Sequence, residues 1–122
     1  MNKEFWKDRN VFVTGHTGFK GGWMSHWLTK MGAKVFGYSL TPPTEINFFD
    51  LTRLKEKLSG SFIENILDFK ILSQKMKKAN PSVIIHMAAQ PLVKMSYDFP
   101  IKTFETNIIG TANVLEAARN IK

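Results

Sequence analysis

The run Val11-Phe12-Val13-Thr14-Gly15-His16-Thr17-Gly18-Phe19-Lys20-Gly21-Gly22 constrains the chain more than any other stretch. It opens with β-branched and aromatic residues without polar alternation, the pattern of a strand buried on both faces. Glycines follow at Gly15, Gly18 and Gly21. Behind them Phe19, Trp23, Met24, Trp27, Leu28 and Met31 recur at helical spacing, which predicts an amphipathic helix with these side chains as its core stripe. A glycine turn that leads from a buried strand into a helix aims free N–H groups and the positive end of the helix dipole at one point, and so cradles phosphate. The first glycine permits the tight turn, the second lets backbone approach a pyrophosphate, and the third lets helix pack closely on strand. An NTPase phosphate loop is excluded, because its second glycine would fall at position 20, which is Lys20.

At 122 residues, 43% apolar and 12% aromatic, the sequence reads as at most one globular domain. It has no cysteine, which removes disulfides, thiolate metal sites and a cysteine nucleophile; His16, His26 and His86 have no metal-ligand spacing, so no metal site is expected. The formal net charge of +7 raises nucleic acid as a partner. However, Lys55, Lys57, Lys75, Lys77 and Lys78 fall on predicted solvent faces, and no aromatic-basic interleaving accompanies them, so nucleic acid is not expected. Residues 1–10 lack the apolar core of a signal peptide, and the longest largely apolar run, Val83 to Val93, is interrupted by His86, Gln90 and Pro91. Neither a leader nor a membrane span is expected, and the cytoplasm is the expected compartment.

Along the chain, Gly32 is placed for a left-handed C-cap. Residues 34–38 read as a second strand, 47–58 as a weak helix and 61–66 as a third strand. Asp68 caps a helix with Phe69, Leu72 and Met76 on its buried stripe, and residues 82–86 form a fourth strand. Pro100 suits the first turn of a long last helix, with Phe104, Ile108, Thr111/Ala112, Leu115 and Ala118 as its stripe. Strands alternating with helices imply an α/β fold: the N-terminal half of a doubly wound parallel sheet, strand order 3-2-1-4, with the fourth strand as an open edge.

Candidate site residues follow from this frame. His16 and Lys20 occupy the variable positions of the glycine turn, where a cation would face pyrophosphate. Thr41 stands about where a dinucleotide fold places the residue that bonds the adenosine ribose; no arginine lies near it in sequence, which favours NAD over NADP. Asn65 and Ile66 end the third strand, where Asn65 can bond an adenine edge and Ile66 can cover the ring. Ala88, Ala89 and Gln90 follow the fourth strand, and the two small residues permit close approach to a ribose or nicotinamide. Asn107 points towards the buried arc of its helix, where an unpartnered amide costs about 1–3 kcal/mol; a structural hydrogen bond and support of an active site both fit it. His86 reads as a core histidine, and Trp23 and Trp27 as core by spacing.

Taken together, Thr14-Gly15-x-x-Gly18-Phe19-x-Gly21, His86-Met87-Ala88-Ala89 and Pro100-x-x-x-Phe104-x-x-Asn107-x-x-Gly110-Thr111 resemble the extended short-chain dehydrogenase/reductase family. More narrowly, Thr14-Gly15-His16-Thr17-Gly18-Phe19-Lys20-Gly21, Gly37-Tyr38-x-Leu40-x-Pro42-Pro43-Thr44 and His86-Met87-Ala88-Ala89-Gln90-Pro91-Leu92-Val93-x-x-Ser96-Tyr97 look like the dehydratases that act on CDP-glucose. The resemblance implies a bound NAD that takes a hydride from C4 of the sugar, loss of water across C5 and C6, and return of the hydride to C6. It further implies a homo-oligomer when complete. Carried over by position, Gly15, Gly18, Phe19 and Gly21 hold the pyrophosphate with His16 and Lys20, Asn65 and Ile66 meet adenine, Ala88 to Gln90 the nicotinamide side, and Asn107 braces the active site. The sequence departs from the pattern at Thr41, where these dehydratases carry aspartate, and at Glu64-Asn65, where they carry Gly-Asp. The family's Tyr-x-x-x-Lys pair lies beyond residue 122. The expectation is therefore residues 1–122 as the N-terminal part of the NAD-binding domain of a longer enzyme, with no catalytic residue of its own and inactive alone. A related epimerase or reductase and a non-catalytic dinucleotide-binding fragment are the alternatives.

Overall fold

Four short runs of β-branched and aromatic residues become the strands of one parallel sheet in the computed structural model, which describes residues 2–121. They are β1 (Asn10–Thr14), β2 (Lys34–Ser39), β3 (Gly60–Ile63) and β4 (Val83–His86), in the order β3-β2-β1-β4. β1 lies central, its Val11–Thr14 wholly buried, and pairs Val11 with Val35 and with Val83. The expected order holds. The third strand ends at Ile63 rather than residue 66.

Helices cover both faces of the sheet. α2 (Phe19–Lys30) packs on the face that carries Val11, Val13 and Val35, with Leu28 and Met31 buried there. α4 (Phe69–Ala79) and α7 (Gly110–Arg119) pack on the other, around Phe12, Tyr38, Leu72, Met76, Val114 and Ala117. The alternation of side chains along β1, period two, is what divides Val11 and Val13 from Phe12. Smaller elements fill the connections: α1 (Lys3–Trp6), α3 (Phe48–Leu51), a 3-10 turn at Leu54–Lys57, α5 (Val93–Asp98) and α6 (Pro100–Phe104). The weak helix expected over 47–58 is thus two short pieces, separated by Arg53 in the left-handed region at φ 51°.

Helix ends follow local chemistry. Gly32 adopts φ +87° just past α2, as expected of a left-handed cap. The Asp68 carboxylate accepts from the Ile71 N–H at 3.1 Å. Asp68→Ala should therefore cost about 1 kcal/mol in a urea unfolding experiment; an unchanged midpoint would show that water replaces the cap.

Two expected core stripes hold only in part: Leu28 and Met31 are buried, with Met24 and Ala118 packed against the core, but the largest side chains are not. In α2 the buried face is Gly21, Gly22, Ser25 and Leu28, while Phe19, Trp23 and Trp27 are 73%, 51% and 52% exposed. Gly21 lies against the Gly15 turn and Gly22 against Phe48, where a Cβ already has no room, so the bulky side chains are turned outward. In α7 the buried residues are Gly110, Val114 and Ala117, and Phe104, Ile108 and Leu115 are exposed. A Cβ at Gly110 would already meet Ile66 Cγ1 at 2.9 Å, so the small-residue face must be the inner one. Phe69, also expected inside, is 38% exposed, whereas Leu72 and Met76 are buried as expected.

Candidate functional site at the ends of the strands

The C-terminal ends of β1, β2 and β4 meet at the point where strand order reverses, the crevice in which open parallel sheets hold ligands. Gly15 turns the chain out of β1 at φ +79°, a conformation that favours glycine. A Cβ there would also stand 2.8 Å from Ala88 N and from Met87 C. The turn and the backbone after β4 are thus in direct contact. Gly21 has no room either: its Cβ would overlap the Gly15 carbonyl oxygen. Gly18 precedes α2 as its N-cap without a side-chain hydrogen bond, and a Cβ there would reach only to 3.4 Å of Gly15 O. The first N–H groups of this 12-residue helix consequently point into the crevice beside the exposed Phe19 and Lys20.

His16 departs from its expected place. Its side chain is fully buried, folded over β2 with Nε2 2.8 Å from Ser61 Oγ and its ring edge-on to Phe49. A Cβ at Gly37 would overlap the imidazole, so the glycine in β2 makes the space that His16 fills. Burial pushes the imidazole down to about 4, against an opposing contribution from the Tyr38 backbone. It is neutral near pH 7 and offers no cation to a phosphate; only its backbone remains in the turn. Desolvation outweighs the attraction that a position in the turn would suggest.

The end of β2 is tied to the same turn. Thr17 Oγ1 lies 2.8 Å from Ser39 Oγ and donates to Leu40 O at 2.8 Å, which leaves Thr41 exposed beyond the strand. Tyr38 donates its hydroxyl proton to Asn65 O at 3.0 Å, and Asn65 Oδ1 accepts from Leu67 N at 2.9 Å, so Asn65 is fixed by its own backbone turn and is exposed. Ile66 is 4% exposed and packs in the core beneath Gly110. Its side chain cannot cover a ring in the crevice, which corrects the expectation; its carbonyl accepts from Asn113 Nδ2 at 3.0 Å.

After β4 the loop is clamped twice. Thr14 Oγ1 accepts from Met87 N and Ala88 N at 3.0 and 3.1 Å. Asn107 accepts from Gln90 N through Oδ1 at 2.8 Å and donates from Nδ2 to Gln90 O at 3.1 Å. Asn107 sits in a single π-helical turn, Glu105–Ile109, between α6 and α7; such turns re-aim side chains at functional sites. Of the two readings open for Asn107, the structural hydrogen bond is the one present, directed to this loop rather than to a strand. Ala88 is half-buried and Ala89 exposed. Thr14 and Thr111 enter the sequence reading only as motif or stripe positions, and Thr17 and Ser61 carry no role there. A threonine that ends a buried strand before a glycine turn is the signal for Thr14, and the glycine at position 37 inside a strand is the signal for the His16–Ser61 pair.

Next to the turn an apolar cleft of about 650 Å³ is lined by Phe19, Trp23, Trp27 and Met87, with Lys20 and Lys30 at its rim. Among the described residues no group of histidines and carboxylates could hold a metal ion, and no helix is long and apolar enough to cross a membrane.

With this geometry in place, residues 12–122 match the family model described as GDP-mannose 4,6 dehydratase. The chain is 48% identical over 121 residues to CDP-glucose 4,6-dehydratase of Salmonella typhimurium, which covers 99% of this chain and 33% of the relative. It is 32% identical over 125 residues to dTDP-D-glucose 4,6-dehydratase of Dictyostelium discoideum, covering 99% and 28%. Among solved structures, UDP-glucose 4-epimerase from Brucella ovis in complex with NAD superposes with a TM-score of 0.76 at 29% identity, over 91% of this chain and 32% of that one. UDP-glucose 4-epimerase of Thermus thermophilus in complex with NAD gives 0.77 at 27%, over 91% and 34%. The chain spans about a third of the length of these curated relatives. From its turn, its strand order and this match, the chain belongs to the GDP-mannose 4,6 dehydratase family.

Proposed function

We propose that the chain is the NAD-binding part of a nucleotide-sugar 4,6-dehydratase whose substrate, in the complete protein, is CDP-glucose. The observation that carries this reading is the convergence of the Gly15 turn on the Ala88 backbone at the reversal of strand order, a cradle that a Cβ at Gly15 would fill. The residues present fit a dinucleotide. The turn amides at Gly15 to Gly21 would hold the pyrophosphate, with Lys20 as the adjacent cation. Thr41 would meet the adenosine ribose, Asn65 and the Ile66 backbone the adenine, and Ala88, Ala89 and Gln90 the nicotinamide side. When bound, NAD supplies a reversible hydride acceptor.

The chain's own residues bind and orient. Thr17 holds the Leu40 carbonyl and so sets where Thr41 starts; Asn107 holds both backbone groups of Gln90. Tyr97 is 82% exposed, and no residue of the crevice is offered as the general acid or base, which in this reading belong to the remainder of a longer, homo-oligomeric protein. The choice of CDP-glucose is supported by the 48% identity to the Salmonella relative, and that of a 4,6-dehydratase over an epimerase by the family match.

Calorimetric titration should give saturable NAD binding, at least about tenfold tighter than NADP because no arginine lies near Thr41 in sequence to pair with a ribose phosphate. A panel of nucleotide sugars given to the longer protein should yield a 4-keto product from CDP-glucose first, and none with the 122-residue chain alone. A 4-keto sugar formed by this chain alone would overturn the division of labour, and preference for another nucleotide would overturn the substrate.

A further inference from the structure

Between the two clamps of the loop after β4 lies His86, half-buried at the end of that strand. Its Nδ1 is 2.6 Å from Thr14 Oγ1, and its Nε2 is 3.0 Å from Thr111 Oγ1 on α7. The direction of every proton in this chain follows from donor and acceptor counts. Thr14 Oγ1 already accepts from two backbone N–H groups, so its single proton must go to His86 Nδ1. A ring nitrogen that accepts carries no proton, so the imidazole is neutral and protonated on Nε2. Nε2–H then donates to Thr111 Oγ1, and Thr111 gives its own proton to Asn107 O at 2.7 Å. Asn107, finally, holds Gln90 from its side chain.

We propose that His86 is a positioning residue: a neutral, Nε2-protonated imidazole that joins the Thr14 clamp on Met87 and Ala88 to the Asn107 clamp on Gln90, so that the loop is set against Gly15 from both ends. A core histidine that merely filled space would leave its tautomer undetermined and the two clamps independent. Here the ring is the sole side chain that bonds both Thr14 and Thr111 among the described residues. A doubly protonated ring would put a third donor against Thr14 Oγ1, which would have to release a backbone N–H to accept it. Because a Cβ at Gly15 would lie 2.8 Å from Ala88 N, a displaced loop also disturbs the glycine turn. The consequence for cofactor affinity rests on the dinucleotide reading above; the tautomer and the coupling do not.

Long-range proton–nitrogen NMR of the full chain at neutral pH should show His86 Nδ1 as an unprotonated acceptor nitrogen and Nε2 as protonated. Thr111→Val removes the acceptor of Nε2–H and should speed hydrogen exchange of the Met87 and Ala88 amides about tenfold, although neither touches residue 111. Thr111→Ser keeps the hydroxyl and should restore wild-type exchange. NAD affinity should fall about threefold to tenfold in the valine variant and recover in the serine variant. A proton on Nδ1 in the wild-type chain overturns the proposal, and this measurement needs no substitution. Unchanged exchange at Met87 and Ala88 in a folded Thr111→Val variant overturns it as well. If the tautomer and exchange results hold while the wild type binds no NAD, the coupling stands and the dinucleotide reading falls.

Discussion

Gly21→Ala is expected to destabilise the fold by about 3 kcal/mol or more, the cost of forcing a methyl into a packed backbone contact. The sign is diagnostic, because alanine inside a helix ordinarily gains about 0.5–1 kcal/mol over glycine. Gly21 lies in α2, yet its Cβ would overlap the carbonyl oxygen of Gly15, and backbone cannot rotate aside as a side chain can. Gly18→Ala is the control: φ is −77° and the nearest contact 3.4 Å, so unfolding stability should stay within about 0.5 kcal/mol. If the glycine turn meets pyrophosphate, the same control should lose at least about tenfold in NAD affinity, since its methyl stands where backbone approaches the ligand. Chemical denaturation of both variants separates the two roles. A Gly21→Ala protein as stable as the wild type would refute the close approach of helix and turn.

His16→Ala should cost about 3 kcal/mol at pH 7. It empties the fully buried volume between Gly37 and Phe49 and leaves the Ser61 hydroxyl without its partner. His16 also carries an acid sensitivity that the variant should lose. The unfolded histidine takes up its proton near pH 6.5, whereas the buried one does so only near 4. Between those values the unfolded state holds more protons, so stability falls as pH drops through that window and levels off below it. The full extent is about 3 kcal/mol, and denaturant midpoints measured from pH 7.5 to 3.5 should show it in the wild type and not in His16→Ala. Equal pH slopes in the two proteins would mean that His16 is solvated in the native state.

The parallel sheet and its order were legible because Val11–Val13 and Val83–Ile85 are short apolar runs with no alternation, and because parallel neighbours need crossover connections, which are right-handed. The Gly15 turn was legible for the same reason that it is built: only glycine serves at φ +79° with Ala88 backbone alongside. Helix faces were legible only in part: Leu72 and Met76 of α4 and Leu28 of α2 are buried as their spacing predicts. Spacing assigns Trp23, Trp27, Ile108 and Leu115 to the core because they are large and apolar, but the inner positions go to glycines whose small size carries no hydrophobic signal: Gly21 against the Gly15 turn, Gly22 against Phe48 and Gly110 against Ile66. The side chain of His16 was misplaced because its position in the turn says nothing of the space left by Gly37, twenty-one residues later. Ile66 was misplaced likewise, since the partner that draws it inward, Gly110, lies on a distant helix. Asn107 was recognisable as a buried amide in want of partners, yet the loop that supplies them could be identified only once β4 and the π-helical turn were set side by side.

The central claim is that the Gly15 turn and the Ala88–Gln90 loop form one dinucleotide cradle. An amide chemical-shift map of the nitrogen-15-labelled chain, titrated with NAD, tests it most directly. Saturable shifts should concentrate at Gly15, His16, Gly18 to Gly21 and Ala88 to Gln90, with one common dissociation constant. A folded chain whose amides at both segments stay unmoved at saturating NAD, or shift only elsewhere, would contradict the account.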